Sequence, residues 1–208
     1  MKLTMAINEE YSILKYLILM PSTEDTSTVL VLPETLQAPH LRHLTLSNFA
    51  LPIGSRLLMT AVGLVTLFLH IGQPSTYFLP NTLLQWLSFM PQLEMLVILF
   101  SFPLPNHDVD RQPMHMPNMT FITLSNLRWI ALFGVSTYLE AVVHLITAPR
   151  LKKFQFNFFN QLTFSIPHLL QFLNTSENLR FDSARFLFEG ELVYVEVYLR
   201  EEAKTYAL

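Results

Sequence analysis

The sequence of 208 residues contains no cysteine and only five glycines. The lack of cysteine excludes disulfide frameworks, thiolate zinc sites, iron–sulfur clusters and cysteine nucleophiles, and it fits a reducing compartment. The glycines stand at positions 54, 63, 72, 134 and 190, too far apart for a phosphate-binding loop of the GxGxxG or GxxxxGK type. Nucleotide binding by either loop is therefore excluded.

Charge is also scarce. Only 14% of the residues are charged, against roughly 25% in an average soluble domain, whereas 51% are hydrophobic, which excludes disorder of the whole chain. The formal net charge is −3, and no stretch concentrates lysine or arginine. Because binding to a polyanion needs a basic footprint, we expect no nucleic acid and no membrane among the partners.

Long hydrophobic runs are absent as well. The longest, residues 57–71, has 15 residues and contains Gly63, whereas a spanning helix needs about 20 apolar residues. This run predicts a helix followed by a buried strand. The acidic Glu9 and Glu10 occupy the place where a secretory signal has its uncharged segment. These features predict a protein of the cytoplasm, with the nucleus as a second compartment.

What the sequence has in abundance is leucine in a recurring phrase, apolar-x-x-apolar-x-apolar. Successive phrases begin 23 to 34 residues apart, close to the period of leucine-rich repeats. A seventh phrase would begin at Leu179, but Asp182 interrupts it. The six complete phrases begin at Leu14, Leu41, Leu64, Leu93, Leu127 and Leu151.

The phrases predict strands, because their last two apolar positions are two residues apart and point the same way on an extended chain. Helical stretches are predicted after them, over 55–61, 80–90, 136–147 and 165–173. One strand and one helix cannot bury their apolar edges alone, so neighbouring units must stack. The predicted fold class is α/β: an irregular leucine-rich repeat solenoid, or horseshoe, with parallel strands on the concave face and helices on the convex face. An ordinary α/β domain with leucine-rich strands is the alternative.

The predicted organisation is a single leucine-rich repeat domain over 1–208, with about six to seven repeats. Irregularity is expected because the asparagine that usually satisfies the turn after each phrase is missing. Residues 103–118 contain four prolines and no apolar period, which predicts an inserted surface loop. Residues 191–200 alternate with period two and predict a closing strand, followed by a frayed tail over 201–208.

The runs APHLRHLTL, PNTLLQWLSFMPQLE and APRLKKFQF carry a family likeness. They resemble the leucine-rich repeat region of fungal F-box proteins, a family expanded in mushroom-forming basidiomycetes. The resemblance implies that the repeats hold a protein substrate for a ubiquitin ligase. In such proteins a helical F-box of about 40 to 50 residues precedes the repeats and binds a Skp-type adaptor and, through it, a cullin.

Residues 1–13 leave no room for an F-box, and no Leu-Pro-x-Glu helical opening precedes the first repeat. We therefore expect the adaptor and the cullin as partners only if an F-box exists upstream. The alternative to a substrate receptor is a truncated, stand-alone leucine-rich repeat scaffold without a role in the ligase.

No catalytic constellation is found in the sequence. The serine elbow GxSxG is missing, and the acidic pairs lie in polar segments where burial would not raise a carboxyl pKa. His40 and His43 are spaced to share a metal only on a helix, and they fall on a turn and a strand. His107, Asp108, Asp110 and His115 cluster in the inserted loop, where a solvated loop is the default interpretation. The prediction is a protein that is not an enzyme and has no cofactor and no metal.

The predicted functional surface is the concave face, formed by the residues that alternate with the inward leucines. Its middle rows are aromatic and aliphatic, and an exposed apolar patch of this kind is typical of a protein-binding site. Arg42 and His43 at one end, with Lys152 and Lys153 at the other, form a more polar rim. The alternative is that the strands are covered on both faces. The predicted protein-binding residues are Thr66, Phe68, His70, Met95, Val97, Leu99, Trp129, Phe133, Lys153 and Gln155.

Overall fold

A computed structural model of the chain describes residues 11–21, 30–52, 54–101, 121–159, 166–175, 183–189 and 192–198. The predicted loop at 103–118, the tail at 201–208 and the start of the seventh phrase at Leu179 lie outside these ranges. The strands are β1 (Tyr16–Leu19), β2 (Leu30–Val31), β3 (His43–Ser47), β4 (Phe49–Ala50), β5 (Thr66–Ile71), β6 (Met95–Phe100), β7 (Ile122–Thr123), β8 (Trp129–Gly134), β9 (Ile146–Thr147), β10 (Lys153–Phe159), β11 (Ser183–Glu189) and β12 (Leu192–Tyr198). The helices are α1 (Arg56–Thr60), the 3₁₀ helix η1 (Pro74–Thr76), α2 (Pro80–Ser88), α3 (Ser136–Val143) and α4 (Pro167–Thr175).

Eight of the strands form one sheet in the order β1-β3-β5-β6-β8-β10-β12-β11. Six of them lie in chain order and pair in parallel, namely β1, β3, β5, β6, β8 and β10. Strand β12 pairs antiparallel with both β10 and β11. Two short parallel pairs, β2 with β4 and β7 with β9, lie apart from the main sheet. The protein therefore has an α/β fold with a six-stranded parallel sheet, which confirms the predicted class at this level.

The same turn introduces each of the six parallel strands. In every case the backbone N–H of the first leucine of the phrase donates to the carbonyl oxygen three residues earlier, from Leu14 to Tyr11 through to Leu151 to Ala148. Proline occupies the second turn position at Pro39, Pro91 and Pro149, where its fixed φ favours a tight turn. The leucines that close the turns after the first are fully buried, so each turn also anchors its strand in the core.

The core lies on one face of the sheet, where the last two apolar residues of each phrase pack against the helices. Leu44 and Leu46 of β3, like their counterparts on β5, β6, β8 and β10, are buried, and the alternating residues between them face the other way. Trp86 of α2 and Tyr138 of α3 pack into the same core, with 0% and 3% of their surface exposed. Both aromatic side chains therefore belong to the core that the helices share with the sheet.

The elements differ from the sequence prediction at their ends. The helix predicted over 136–147 ends at Val143, and Ile146–Thr147 instead form β9, which pairs with β7. The strand predicted over 191–200 exists as β12, but it is not the closing strand, because it lies between β10 and β11. Periodicity identifies a strand from local pattern, whereas its neighbours are chosen by packing between distant segments.

One turn shows how the missing asparagine ladder is replaced. Asn48, directly after β3, has φ 58°, a left-handed conformation that asparagine tolerates better than most residues. Its side-chain Oδ1 accepts a hydrogen bond from the backbone N–H of Gly72 at 2.6 Å, and its own N–H donates to His70. Asn48 thus connects the ends of two neighbouring strands from a position earlier than the usual one.

Candidate recognition surface

All ten of the predicted binding residues lie on one face of the sheet. The register of β5, β6, β8 and β10 aligns Thr66, Met95, Trp129 and Lys153 in one row, and Phe68, Val97 and Gln155 in the next. His70, Leu99 and Phe133 form a third row. Strand alternation places these rows opposite the buried leucines, so the structure brings together the residues singled out from the sequence.

The face carries a partly exposed, largely apolar surface. Nine of the ten residues are half-buried, and Val97 is the exception at 6% exposed. Val97 stands in register between Phe68 and Ala131, and Ala131 is itself only 2% exposed. The middle of the face is therefore a close-packed floor, and the larger side chains above and below it present the accessible area.

A polar chain crosses the carboxyl-terminal end of this face. Ser47 Oγ and His70 Nδ1 are 2.9 Å apart, and His70 Nε2 and Ser101 Oγ are 2.5 Å apart. Burial lowers the pKa of His70, so its ring is neutral at pH 7 and donates through one nitrogen while it accepts at the other. Both ring nitrogens face serines, and no carboxylate bonds to His70 among the described residues, so the orienting acid of a serine hydrolase triad is not found there.

Sequence reasoning missed Ser101 as part of this surface, whereas Ser47 alternates with the inward Leu44 and Leu46 and was expected on it. Ser47 pairs with His70 in the register of β3 and β5, and Ser101 follows the last residue of β6. For Ser101 the available signal was its position two residues after Leu99, in step with the outward residues Met95, Val97 and Leu99. Their proximity to His70 depends on strand order, which the sequence alone does not reveal.

The amino-terminal end of the face has an ordered aromatic and basic corner. The rings of Tyr16 and His43 stack with centroids 4.5 Å apart, and His43 Nδ1 is 3.1 Å from Thr66 Oγ1. An open cleft of about 1190 Å³ lies beside them. Its wall includes Lys15 and Arg42, whose guanidinium donates to the carbonyl of Gly63 at 3.3 Å.

At the other end, Lys153 Nζ lies 4.6 Å from the centroid of the Trp129 ring, a cation–π contact. Two polar groups of this region are buried without a hydrogen-bond partner in the described structure, the Trp129 Nε1–H and the side-chain amide of Asn157. Asn157 belongs to the same outward row as Phe133. Buried polar groups that lack a partner are uncommon, so this corner of the face has unused hydrogen-bonding capacity.

The described residues offer neither a metal site nor a membrane-spanning helix. Over the described ranges, no three histidine or acidic side chains come together as a metal site, and no helix is long and apolar enough to cross a membrane. The cluster formed in sequence by His107, Asp108, Asp110 and His115 lies outside those ranges.

The fold and the surface define an α/β protein whose parallel sheet buries leucine on one face and presents partly exposed aromatic and aliphatic side chains on the other. No protein-family model matches the chain, and neither a curated protein nor a solved structure is significantly similar to it.

Proposed function

We propose that this protein is a non-catalytic recognition module that binds a protein partner through the open face of its parallel sheet. The observation that carries the proposal is the alignment of nine partly exposed residues, most of them apolar, on one face of four neighbouring strands. Apolar patches of this kind on a concave or flat surface are typical of sites that bind other proteins.

The proposed architecture is a leucine-rich repeat solenoid. It is supported by the identical turn before each parallel strand and by a repeated backbone contact between neighbouring strands. The carbonyl of the residue before each strand accepts from two successive N–H groups of the next unit, as Lys15 does from Arg42 and His43. The same pair of bonds recurs at every step up to Arg128, which accepts from Lys152 and Lys153. Units that repeat their nearest-neighbour contacts in this way are the hallmark of repeat proteins.

The resemblance to the repeat region of fungal F-box proteins suggests a more specific role. Under this proposal the bound protein is a substrate delivered to a ubiquitin ligase in the cytoplasm or nucleus, and a Skp-type adaptor and a cullin take part where an F-box is joined to the repeats. Co-purification of the protein from fungal cells, expressed from its own gene, tests this role. Recovery of neither adaptor nor cullin would remove it and leave the recognition module.

The recognition module itself is tested with an immobilised library of short peptides and the purified chain. We expect Phe68→Asp with Leu99→Asp to abolish binding to the peptides that the native chain selects, because two charges would enter the apolar face. The control variant is Leu170→Asp, since Leu170 is 53% exposed on α4, away from the face. Circular dichroism checks that each variant is folded. Peptides that bind the double variant as tightly as the native chain would refute the proposal.

A second candidate function is that of a stand-alone scaffold that associates through its first strand. This candidate is favoured by β1 and the residue after it, where Tyr16, Ile18 and Met20 are 66%, 63% and 65% exposed. An apolar edge strand is a template for association with another chain. Sedimentation of the purified chain tests the idea: we expect oligomers that Ile18→Lys disperses, and a native chain that is monomeric at all concentrations would contradict it.

A further inference from the structure

The cationic side chains of the described structure are concentrated along one rim of the sheet. Seven described side chains are lysine or arginine and three are glutamate, although the whole chain has a formal net charge of −3. Five of the seven cations occupy the last position before a parallel strand or the first position in it, and we call these positions the amino-terminal rim. The five are Lys15, Arg42, Arg128, Lys152 and Lys153.

The backbone pairing aligns the rim across the sheet. Since the first residues of the strands are in register, the preceding residues also follow one another, in the order Lys15, Arg42, Val65, Glu94, Arg128, Lys152. Neighbouring strands are about 4.8 Å apart, so six strands span about 24 Å. The rim therefore has a positive pole at each end and an uncharged or acidic centre.

The poles differ in how far their charge is compensated. At the first pole, Lys15 and Arg42 are exposed, and neither forms an ion pair with a described acidic side chain. At the second pole, Arg128 Nε lies 3.7 Å from Glu94 Oε2, with side chains 56% and 45% exposed, and this ion pair draws the only acidic group of the rim toward that pole. Lys152 lies beyond Arg128 and is exposed. Both poles thus keep positive charge toward solvent.

Apolar surface lies between the poles. Val65, just before β5, and Met95, the first residue of β6, are half-buried, and the Trp129 ring is in contact with Lys153. At the first pole the cleft beside Tyr16 and His43 is open, and the stack of these two rings orders its wall in advance. A ligand that matched this rim would carry negative charge at both ends and apolar side chains in the middle.

We propose that the amino-terminal rim binds an extended peptide segment of about seven residues, acidic at both ends and apolar at its centre, which runs across the strands. Seven residues of extended chain reach about 23 Å, which matches the rim. A single-stranded nucleic acid is disfavoured, because an evenly spaced polyanion would bring negative charge next to Glu94. This inference rests on the proposed recognition function and specifies the chemistry of the partner.

The probe is a heptapeptide library in which every position is varied in turn among acidic, basic, apolar and neutral polar residues, with a labelled seven-nucleotide single-stranded DNA for comparison. We expect the native chain to select acidic residues at the two ends and apolar residues at the centre. Lys15→Glu combined with Arg42→Glu is expected to weaken binding of the selected peptide by about tenfold or more, because like charges would face each other at one pole. Lys152→Glu should weaken it from the other pole.

The matched control is Arg56→Glu, which makes the same change of charge at the start of α1, outside the rim. We expect it to leave the affinity within about twofold of the native value, and we expect binding through the rim to weaken as salt rises. Arg42→Gln, which removes the charge without reversing it, gives an intermediate loss if the double variant should fail to fold.

The two proposals fail in different ways. Selected peptides that lose binding in the variant Phe68→Asp with Leu99→Asp, but show no acidic preference and ignore the rim variants, would overturn the rim inference and keep the recognition function. Peptides that ignore both sets of variants would overturn both. Tighter binding of the DNA than of any acidic-ended peptide would overturn the rim inference in favour of a nucleic acid.

Discussion

The carboxylate of Glu140 is expected to be one of the most important polar groups for stability. Glu140 lies on α3 and is 9% exposed, yet its two oxygens accept hydrogen bonds from the backbone N–H groups of His168 and Leu169, each at 2.8 Å. These donors open α4, whose first residue, Pro167, has no N–H. Glu140 therefore caps the amino terminus of the next helix from outside it, where a negative charge is favoured by the helix dipole.

The cost of removing this cap follows from its two bonds. A hydrogen bond to a charged group contributes about 1.5–3 kcal/mol, so Glu140→Ala should lower the free energy of unfolding by about 3 kcal/mol. For a chain of this size that change lowers Tm by about 6–12 °C. Glu140→Gln keeps one acceptor oxygen and loses the charge, so we expect about half that effect. Glu94→Ala is the control, because the exposed Glu94–Arg128 pair should contribute under about 1 kcal/mol.

The measurement is urea denaturation followed by circular dichroism, together with hydrogen exchange of the two capped amides. We expect the His168 and Leu169 amides to lose protection in Glu140→Ala while amides of β5 and β6 keep theirs. If Glu140→Ala were no more destabilising than Glu94→Ala and both amides stayed protected, the proposed cap would be wrong.

Three further predictions concern single buried or close contacts. In Gly72→Ala the new Cβ would lie 2.0 Å from Asn48 Oδ1, so we expect urea denaturation to show a free energy of unfolding lower by about 1–3 kcal/mol. The loss should be smaller in an Asn48→Gly background, where the obstructing side chain is gone. Equal losses in both backgrounds would contradict this. The Tyr138 hydroxyl is buried with no hydrogen-bond partner among the described residues, and burial, followed by the neighbouring Tyr77, raises its pKa well above the ordinary value. Tyr138→Phe should therefore leave the free energy of unfolding unchanged or raise it by up to about 1 kcal/mol. A clear loss of stability would reveal a bond to this hydroxyl. Burial lowers the pKa of His70 below 6.5, so the His70 ring is protonated at higher pH in the unfolded chain than in the folded one, and stability should fall as the pH drops below 6.5. His70→Gln should reduce this dependence of the free energy of unfolding on pH, measured by denaturation at pH 7, 6 and 5. An unchanged dependence would assign it to other groups.

The strands of the sheet were largely predictable from the sequence. The last two apolar positions of each phrase, such as Leu44 and Leu46, became neighbouring inward residues of a strand, because alternation along an extended chain is a local property. Helix starts at Pro80 and Ser136 were likewise predicted from local signals, and both helices begin at those residues. The grouping of the ten face residues followed from the same alternation.

Other features depend on contacts between segments 20 or more residues apart. Strand β12 lies between β10 and β11 and pairs with both. Nothing in residues 192–198 alone specifies these two partners. The Ser47–His70–Ser101 chain joins three strands, and no single phrase contains more than one of its members.

The sequence by itself therefore determined where the six parallel strands lie, which of their side chains turn inward, and that the chain has little net charge, since all three depend on residue type and local spacing. Only the tertiary structure decided that Glu140 caps a helix 28 residues away and that five of the seven described lysines and arginines lie along one rim. Stacking of successive strands in register converts residues that are scattered along the chain into a continuous row, and that conversion depends on packing energies that no short window of sequence contains.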